Sequence, residues 1–507
     1  MSAAAPSTPA DEAAHEPLLA AAVADLGADL EELLFLARSA EARLAESADE
    51  LAGASLRAPT QELVTRQHAL ARRRYRLIAE RLGRLRARIA CTPPSRALLD
   101  RLAAEKASLA DLLRVEQALT AALLGAADWQ SPSFLHSLAA SAGRHEGRIR
   151  PHWNDYKRDR HLDADRYELD YLQALVDGPP DLRALLTSCG MAAFTTVLSF
   201  LQLEGSLDGP VLAGLGLYHE SRLLLERALP GRLHLVDEAD TPSLLRAIDE
   251  LDPSTLFLDS LSNTKWMPVP ALSPLLARLA GTETYLILDN TGLSVTCQPF
   301  ALAGESVRLI VFESLLKYAQ LGLDRANAGV VVARAADAER LSRYREHLGT
   351  NVADVAVHAL PRPDRHVLER RLARLQRNAL LLADSLQAQV GDSVEVVYPG
   401  LPSHRGDACA RQLPFRGGCV SIVFREADAT LRRERALVER AVAEAARRGV
   451  ALLGGSSFGF DTTRIYLTAE DADYGDPFVR IAAGTEHRLE VERLARALAA
   501  AVREAAS

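Results

Sequence analysis

The chain has 507 residues, a formal net charge of −8 and an apolar content of 48%. The length predicts about three domains at ~100–200 residues each, and the acidic balance argues against a general nucleic-acid-binding surface. No apolar stretch reaches the ~18 residues of a membrane span, and residues 1–17 lack the pattern of a signal peptide, so we expect a cytoplasmic protein without a membrane segment.

Residues 1–130 are predicted to form an N-terminal helical domain. Apolar residues recur at spacings of three and four, and breaks at 53–59 and 92–94 leave three long helices, which favours an antiparallel bundle. Residues 1–65 carry twelve acids and three arginines, whereas residues 66–90 carry nine arginines and one acid. We interpret the basic helix as a solvated face paired with the acidic first helix, with a phosphate or nucleotide contact as the alternative.

Residues 131–363 are predicted to form a large α/β domain. Short β-rich runs alternate with helical segments, which indicates a mainly parallel sheet whose ligands lie beyond the carboxyl ends of the strands. The predicted strands are Val211–Leu217, Arg232–Val236, Thr255–Leu258, Thr284–Leu288, Leu309–Phe312 and Gly329–Val332.

Residues 364–507 are predicted to form a smaller α+β domain. It begins with a long amphipathic helix over 364–390, and further helices are predicted over 429–448 and from Leu489. The predicted strands are Val394–Tyr398, Cys419–Phe424 and Ala451–Leu453.

Lysine is scarce in this chain, which makes each lysine informative. Of the 59 basic residues only four are lysines, namely Lys106, Lys157, Lys265 and Lys317. Arginine cannot replace a lysine amine as a nucleophile, because the guanidinium stays protonated. Lys106 is expected to be solvated, and Lys265 is expected to lie in a loop after Asn263 and Thr264. The five cysteines are scattered without a Cys-x-x-Cys pair, so we expect free thiols and no metal cluster.

Two predicted strands end in residues that suit one cofactor. Asp289 follows a buried strand, where an acid needs a cationic partner unless it caps a turn. Lys317 follows the strand at 309–312, although a lysine there could also reach solvent. Together they supply an amine for an aldehyde carbon and a carboxylate for a pyridine nitrogen, as pyridoxal phosphate (PLP) chemistry requires. Residues 189–193, with a glycine at a helix start, are the candidate phosphate site.

A series of motifs in chain order extends this prediction. They are Cys189–Ala193, Asp259–Thr264, Asp289–Thr291, Ser314–Tyr318, the Tyr-Pro-Gly-Leu-Pro-Ser-His sequence at Tyr398–His404, and Val479–Glu486. From about Tyr156 to the C-terminus the chain resembles the Cys/Met-metabolism PLP enzymes, the cystathionine γ-synthase and γ-lyase group of fold type I. The sequence at 398–404 is the most specific of these matches.

The resemblance implies a role for each matched residue. Lys317 would hold PLP as a Schiff base and carry protons, Asp289 would pair with the pyridine nitrogen, and Arg480 would bind the substrate α-carboxylate with help from Ser457. The further cofactor contacts that it implies are Cys189, Gly190, Met191 and Ser314 at the phosphate, Asn263 at the ring hydroxyl, and Tyr218 stacked on the ring, where it is also a catalytic candidate.

Residues 150–165 resemble the inter-subunit arm of the same family. In that family a tyrosine and an arginine of the arm reach the phosphate of the neighbouring subunit, and Tyr156 and Arg158 match them. The resemblance therefore implies a homodimer or homotetramer whose active sites are shared between subunits.

The departures from the family pattern concern the substrate more than the cofactor. Leu316 replaces a threonine before the lysine, His219 and Glu220 replace two glycines, and residues 160–163 replace Gly-Asn-Pro-Thr. The helical domain is not part of the ordinary family pattern.

The resemblance implies α,γ-elimination or γ-replacement on an amino acid with a leaving group at Cγ, of the homoserine ester, cystathionine or S-adenosylmethionine type. The added domain and altered pocket favour a specialised enzyme of secondary metabolism that forms C–C or C–N bonds with a large or phosphorylated co-substrate. A β-eliminating C–S lyase is the alternative, because the same residues support it. A PLP-fold binding or regulatory protein is a second alternative, against which the intact Lys317, Asp289 and Arg480 argue.

Overall fold

The computed structural model describes residues 9–53, 58–127, 158–159, 161–425, 429–469 and 476–506. The helices are α1 (Pro9–Gly53), α2 (Ala58–Cys91), α3 (Arg96–Ala127), α4 (Leu162–Leu175), α5 (Gly190–Leu203), α6 (His219–Ala228), α7 (Thr241–Leu251), α8 (Leu272–Leu279), α9 (Pro299–Leu302), α10 (Ala335–Leu348), α11 (Asp354–Ala359), α12 (Arg365–Val390), α13 (Asp407–Ala410), α14 (Leu431–Arg447) and α15 (Arg488–Ala506). The strands are β1 (Leu182–Thr187), β2 (Val211–Gly214), β3 (Leu233–Val236), β4 (Thr255–Asp259), β5 (Tyr285–Asp289), β6 (Arg308–Ser314), β7 (Gly329–Arg334), β8 (Val394–Val397), β9 (Cys419–Phe424), β10 (Leu453–Gly454), β11 (Arg464–Thr468) and β12 (Phe478–Ala482). None of these helices is long and apolar enough to cross a bilayer.

The first three helices form the predicted antiparallel bundle. Ser47 of α1 lies 3.1 Å from His68 near the start of α2, and Glu31 of α1 lies 3.3 Å from Arg86 near its end. Residues early in α1 thus meet residues late in α2, so the two helices run in opposite directions. The short links between the helices leave no other arrangement.

The basic segment at 66–90 lies in α2, and several of its arginines pair with acids of α1 and α3 inside the bundle. Arg72 lies 3.2 Å from Glu41 of α1, and Arg74 lies 2.7 Å from Glu116 of α3. These pairs agree with a helix face that neutralises its acidic neighbours, and they give no support to a phosphate contact on this helix.

Lys106 of α3 corrects one expectation. Its ammonium lies 2.8 Å from Asp29 of α1, and both side chains are largely buried. The expectation of a solvated lysine is wrong, because α3 directs this residue into its contact with α1. The pair satisfies both charges away from water, as buried charges require.

The large sheet has the strand order β1-β7-β6-β5-β4-β2-β3. The five strands from β3 to β6 are parallel, whereas β7 is antiparallel to both β6 and β1. All six strands predicted for this domain are present, which confirms a mainly parallel sheet. Strand β1 was not predicted, because its leucines and alanine favour a helix and only pairing with β7 makes it a strand.

The two faces of the large sheet have different partners. Successive residues of β5 point to opposite faces, so Leu286 and Ile287 belong to different cores. Leu286 shares a continuous core with Leu30 and Tyr75 of the bundle, whereas Ile287 packs with Phe194 of α5. The helical bundle is therefore built onto one side of the large domain through a common apolar core.

The C-terminal region has its own sheet and core. The strand order is β10-β11-β12-β9-β8, and α12, α14 and α15 bury apolar side chains against it. Helix α12 begins where predicted, because the Asp364 carboxylate accepts a hydrogen bond from the Val367 N–H at 2.9 Å. Strands β11 and β12 were not predicted, and they form through antiparallel pairing of β12 with both β11 and β9.

Candidate active site

Three strands of the large sheet end in polar residues at one edge. The parallel register places Asp259 of β4 beside Asp289 of β5, and Ser314 is the last residue of β6. Thr291 joins two of these ends, since its hydroxyl accepts from the Ser314 N–H at 2.9 Å and its own N–H donates to Asp289 at 2.8 Å. This edge is the ligand crevice that a parallel sheet predicts.

The amine of Lys317 lies at this edge, three residues beyond β6. It donates a hydrogen bond of 2.7 Å to the Ser457 hydroxyl. Burial and the positive charge of Arg480 lower the pKa of Lys317 to about 8, although Cys419 and Asp289 act in the opposite direction. A substantial fraction of the amine is therefore neutral close to physiological pH, which a nucleophile or base requires.

Asp259 and Asp289 lie side by side, and both carboxyl groups have a raised pKa. Burial raises the pKa of Asp289 to about 6, while hydrogen bonds from Thr291 and the charge of Lys317 limit that rise. Burial, the charge of Asp289 and that of Glu238 raise the pKa of Asp259 well above its usual range. Two adjacent buried carboxylates cannot both ionise cheaply, so the hydrogen bonds from Thr291 and the charge of Lys317 favour placing the negative charge on Asp289.

Arg480 of β12 is a cation at this site, and its guanidinium has no carboxylate partner among the described residues. Its side chain is only 8% exposed, and it is close enough to influence the pKa values of Lys317 and Tyr218. Within the part of the chain that the structure describes, no carboxylate pairs with it. An unpaired buried guanidinium is costly, and its fork suits a carboxylate, so Arg480 is placed to receive an anionic ligand.

Tyr218 and Asn263 border the same edge. Tyr218 precedes α6 and is 38% exposed. Burial and then Glu220 raise the pKa of Tyr218, so its hydroxyl keeps its proton at neutral pH. Its backbone N–H donates a hydrogen bond to Asp259, which favours the ionised form of that carboxyl group. The backbone of Tyr218 therefore lies against the end of β4. Asn263 lies partly exposed in the loop after β4.

The candidate phosphate site is the start of α5 against the end of β6. Gly190 is the first residue of α5, and a Cβ on it would lie 2.7 Å from the Ser314 Cβ. Only glycine allows this approach, which leaves the N–H groups at the helix start beside the Ser314 hydroxyl. The Cys189 sulfur caps the helix by accepting from the Ala192 N–H at 3.3 Å, and Met191 is the second helical residue.

The structure describes only one member of the predicted inter-subunit pair. Tyr156 lies outside the described residues. Arg158 is exposed, and its guanidinium lies 3.3 Å from Asp159. The other predicted site residues converge on the sheet edge or on the loop that carries Ser457.

Sequence reasoning missed Asp259 and Cys419 as members of the site. Asp259 ends a buried strand just as Asp289 does, so the same rule would have found it. Cys419 begins β9 and is buried beside Lys317 and Arg480; burial raises the pKa of its thiol while the two cations oppose that rise. No sequence signal marks this cysteine, because an isolated cysteine in a strand is ordinarily a core residue.

Comparison with known proteins gives a family and several relatives. The sequence model of the Cys/Met metabolism PLP-dependent enzymes matches residues 127–498. The Bifunctional enzyme flvA of Aspergillus flavus is 27% identical over 351 residues, which cover 67% of this chain and 41% of the relative. A probable cystathionine gamma-synthase of Herpetosiphon aurantiacus is 27% identical over 249 residues, which cover 48% of this chain and 74% of the relative. The chain thus spans about two fifths of the length of the Aspergillus relative.

Solved structures share the fold at low sequence identity. A cystathionine gamma synthase from Xanthomonas oryzae pv. oryzae, in complex with cystathionine, has a TM-score of 0.58 and 23% identity, over 71% of this chain and 90% of that one. Apo CalE6, a methionine gamma lyase from Micromonospora echinospora, has a TM-score of 0.56 and 22% identity, over 69% of this chain and 90% of that one. At these identities the likeness establishes the architecture, and it agrees with the fold that the sequence predicts.

Proposed function

The chain belongs to the Cys/Met metabolism family of PLP-dependent enzymes, and we propose that it catalyses α,γ-elimination or γ-replacement on an amino acid with a leaving group at Cγ. Membership confirms the predicted cofactor and fold type. The observation that carries the proposed reaction is the buried, unpaired Arg480 beside the Lys317 amine, since an amino-acid substrate needs both a carboxylate partner and a base at Cα. The γ-synthase and γ-lyase names of the relatives support γ-chemistry.

The residues at the sheet edge fit pyridoxal phosphate. The Lys317 amine suits its aldehyde, the ionised Asp289 suits its pyridine nitrogen, and the close approach of Gly190 to Ser314 leaves a helix start for its phosphate. When bound, PLP supplies a ring that accepts electrons from the substrate α-carbon. We assign the further contacts to Cys189, Met191, Asn263 and Tyr218, in the roles that the resemblance implies.

The proton steps fall to the side chains of the site. Arg480 binds the substrate α-carboxylate in a bidentate manner and so orients Cα. Neutral Lys317 removes the α-proton at its Nζ and delivers it to the side chain of the substrate, while the Ser457 hydroxyl accepts a hydrogen bond from that nitrogen. Asp289, whose pKa is about 6, would be ionised at neutral pH and would hold a proton on the pyridine nitrogen.

The nature of the co-substrate is a finer proposal. His219, Glu220 and Leu316 replace smaller or hydroxylated residues of the family pattern around the pocket, which favours a specialised γ-replacement, such as C–C or C–N bond formation with a large co-substrate. The bifunctional Aspergillus relative supports a specialised role. Arg72 and Arg74 of α2 are engaged within the bundle, so these two residues do not favour a phosphorylated co-substrate.

Product analysis tests the reaction class. An O-acyl-homoserine, cystathionine, S-adenosylmethionine and cysteine are added in turn to the PLP-loaded protein, with Lys317→Ala as the inactive control. We expect 2-oxobutyrate, or a γ-substituted amino acid when a nucleophile is present. Pyruvate from cysteine or cystathionine, without any γ-product, would instead establish the alternative β-eliminating C–S lyase.

A further inference from the structure

The loop that follows β10, residues 455–463, fixes the surroundings of the Lys317 amine. Ser457 of this loop has φ of 74°, a left-handed conformation that a serine adopts only when its surroundings impose it. Gly459 lies so close to the backbone of Lys317 that a Cβ would be 2.9 Å from the lysine carbonyl carbon. The loop and the lysine backbone are in contact, so the position of one determines the position of the other.

Asp461 anchors this loop to two arginines that come from different parts of the chain. Arg371 of α12 lies 2.9 Å from Asp461 and donates to the Gly459 carbonyl at 2.8 Å. Arg114 of α3, in the N-terminal bundle, donates to the other carboxylate oxygen. Burial opposes ionisation, but Arg371, Arg114 and Lys106 together hold the pKa of Asp461 below its usual range. The anchor is therefore ionised throughout the neutral range.

Arg114 also holds the segment that follows Lys317. Its Nε donates to the Gly322 carbonyl at 3.1 Å. Gly322 has φ of 77°, and a Cβ there would lie 2.7 Å from the Arg371 guanidinium. One guanidinium of the bundle thus contacts two segments that adjoin Lys317, the Gly322 turn and the loop with Asp461.

Glu32 of α1 is the second carboxylate that binds Arg371. It bonds to Arg371, which is fully buried, and to Arg374 at 2.8 Å. A buried arginine needs its charge met by more than one acceptor. Glu32 on one side and Asp461 on the other therefore hold Arg371 in place, and the bundle supplies the first of these two carboxylates.

We propose that the N-terminal helical bundle is a structural part of the active site, in which Arg114 positions Lys317 through the Gly322 turn and the Asp461–Ser457 loop. Arg114 touches neither substrate nor cofactor and is a positioning residue. The proposal rests on the role of Lys317 as the cofactor lysine, and it gives the extra domain a function beyond solubility or partner binding.

The test compares two arginine-to-methionine variants of the full-length protein. Arg114→Met removes the proposed support, and Arg74→Met is its control, because Arg74 is also a partly buried bundle arginine paired with a buried acid, Glu116, but lies away from the loop. PLP is removed and re-added, and its dissociation constant is measured. The rate of PLP loading is measured across pH, and the pH at which it reaches half of its maximum is the loading midpoint. The melting temperature of each variant is measured as well.

We expect Arg114→Met to weaken PLP binding about tenfold, the effect of losing one charge-assisted hydrogen-bond system. Its loading midpoint should move above that of the native protein, because a looser loop admits water to an amine whose pKa is lowered mainly by burial. Arg74→Met should lower the melting temperature without changing either quantity. Equal behaviour of the two variants, or an unchanged midpoint in Arg114→Met, contradicts the proposal.

A milder variant guards against loss of folding. Arg114→Lys keeps a charge beside Asp461 but lacks the fork that also reaches the Gly322 carbonyl. It should fold and shift the midpoint in the same direction by a smaller amount; a midpoint equal to that of the native protein again contradicts the proposal. If Lys317→Ala loads PLP as the native protein does, the proposed function fails instead, so the two failures are distinguishable.

Discussion

At the scale of single residues, the chemistry of the site depends on the protonation of the Lys317 amine and on the positive charge of the Arg480 guanidinium. Lys317 has a pKa lowered to about 8 by burial and by Arg480. Only the neutral amine reacts with an aldehyde, so the rate of PLP loading should rise from neutral pH with a midpoint at about 8. That midpoint is a property of the buried site, since an exposed lysine titrates at ~10.4.

Variants of Arg480 separate its charge from its geometry. Arg480→Met removes a charge that lowers the pKa of Lys317, so the loading midpoint should move to higher pH. Arg480→Lys keeps the charge and should leave the midpoint nearly unchanged, while KM for the amino acid rises about tenfold or more, because the bidentate contact is lost. Stopped-flow loading across pH and steady-state kinetics measure the two effects; a midpoint that moves equally in both variants would refute the electrostatic account.

Single residues also show what the sequence could reveal. Lys317, Asp289 and Arg480 were predicted, because rare or costly residue types follow strands or match a motif. Cys419 was not, since only the folding of the small domain over the sheet edge brings β9 to the lysine. Asp259 was recognisable in principle, but its position beside Asp289 depends on the strand register.

At the scale of elements, the cofactor site depends on how closely α5 approaches β6. Gly190→Ala places a Cβ 2.7 Å from that of Ser314, so the helix start must move away. We expect the PLP dissociation constant to rise more than about tenfold, since the helix N–H groups no longer reach the phosphate. Gly83→Ala in α2 is the control, because nothing lies within 4 Å of its added Cβ; it should leave PLP binding unchanged and stabilise the helix by ~1 kcal/mol.

The contact of α1 with α12 should contribute strongly to stability. Glu32→Gln leaves the buried Arg371 and Arg374 with one carboxylate fewer, which we expect to cost ~3–5 kcal/mol of unfolding free energy. Glu41→Gln removes a carboxylate that pairs with α2 arginines at a partly exposed position, and should cost ~0–1 kcal/mol. Urea unfolding of the two variants measures the difference, and equal midpoints would count against a buried ionic contact.

The elements that the sequence did not reveal share a physical cause. The bundle helices and α12 have long periodic patterns, so their positions were predictable. Strands β1, β11 and β12 are short, and their conformation depends on pairing with distant partners. The joint core of the bundle and the large sheet could not be predicted either, because a pattern shows which face of a helix is apolar but not what that face meets.

At the scale of the whole molecule, we propose that the chain forms a homodimer or homotetramer in which Tyr156 and Arg158 would reach the active site of the neighbouring subunit. Subunit mixing tests this arrangement. Lys317→Ala and Arg158→Ala proteins should each lose activity, and hybrids formed from both should regain part of it, because one site then receives an intact lysine and an intact arm. Absence of any recovery in hybrids verified by mass would show that the arm serves its own subunit.

Covalent trapping of the cofactor tests most directly whether Lys317 carries it. The PLP-loaded protein is reduced with borohydride and digested, and the pyridoxyl group is located by mass spectrometry among the four lysines. We expect the label on Lys317 alone, and neither label nor visible cofactor absorption in Lys317→Ala, while Lys265→Ala should behave as the native protein. A label on Lys106, Lys157 or Lys265, or cofactor absorption that persists in Lys317→Ala, would contradict it.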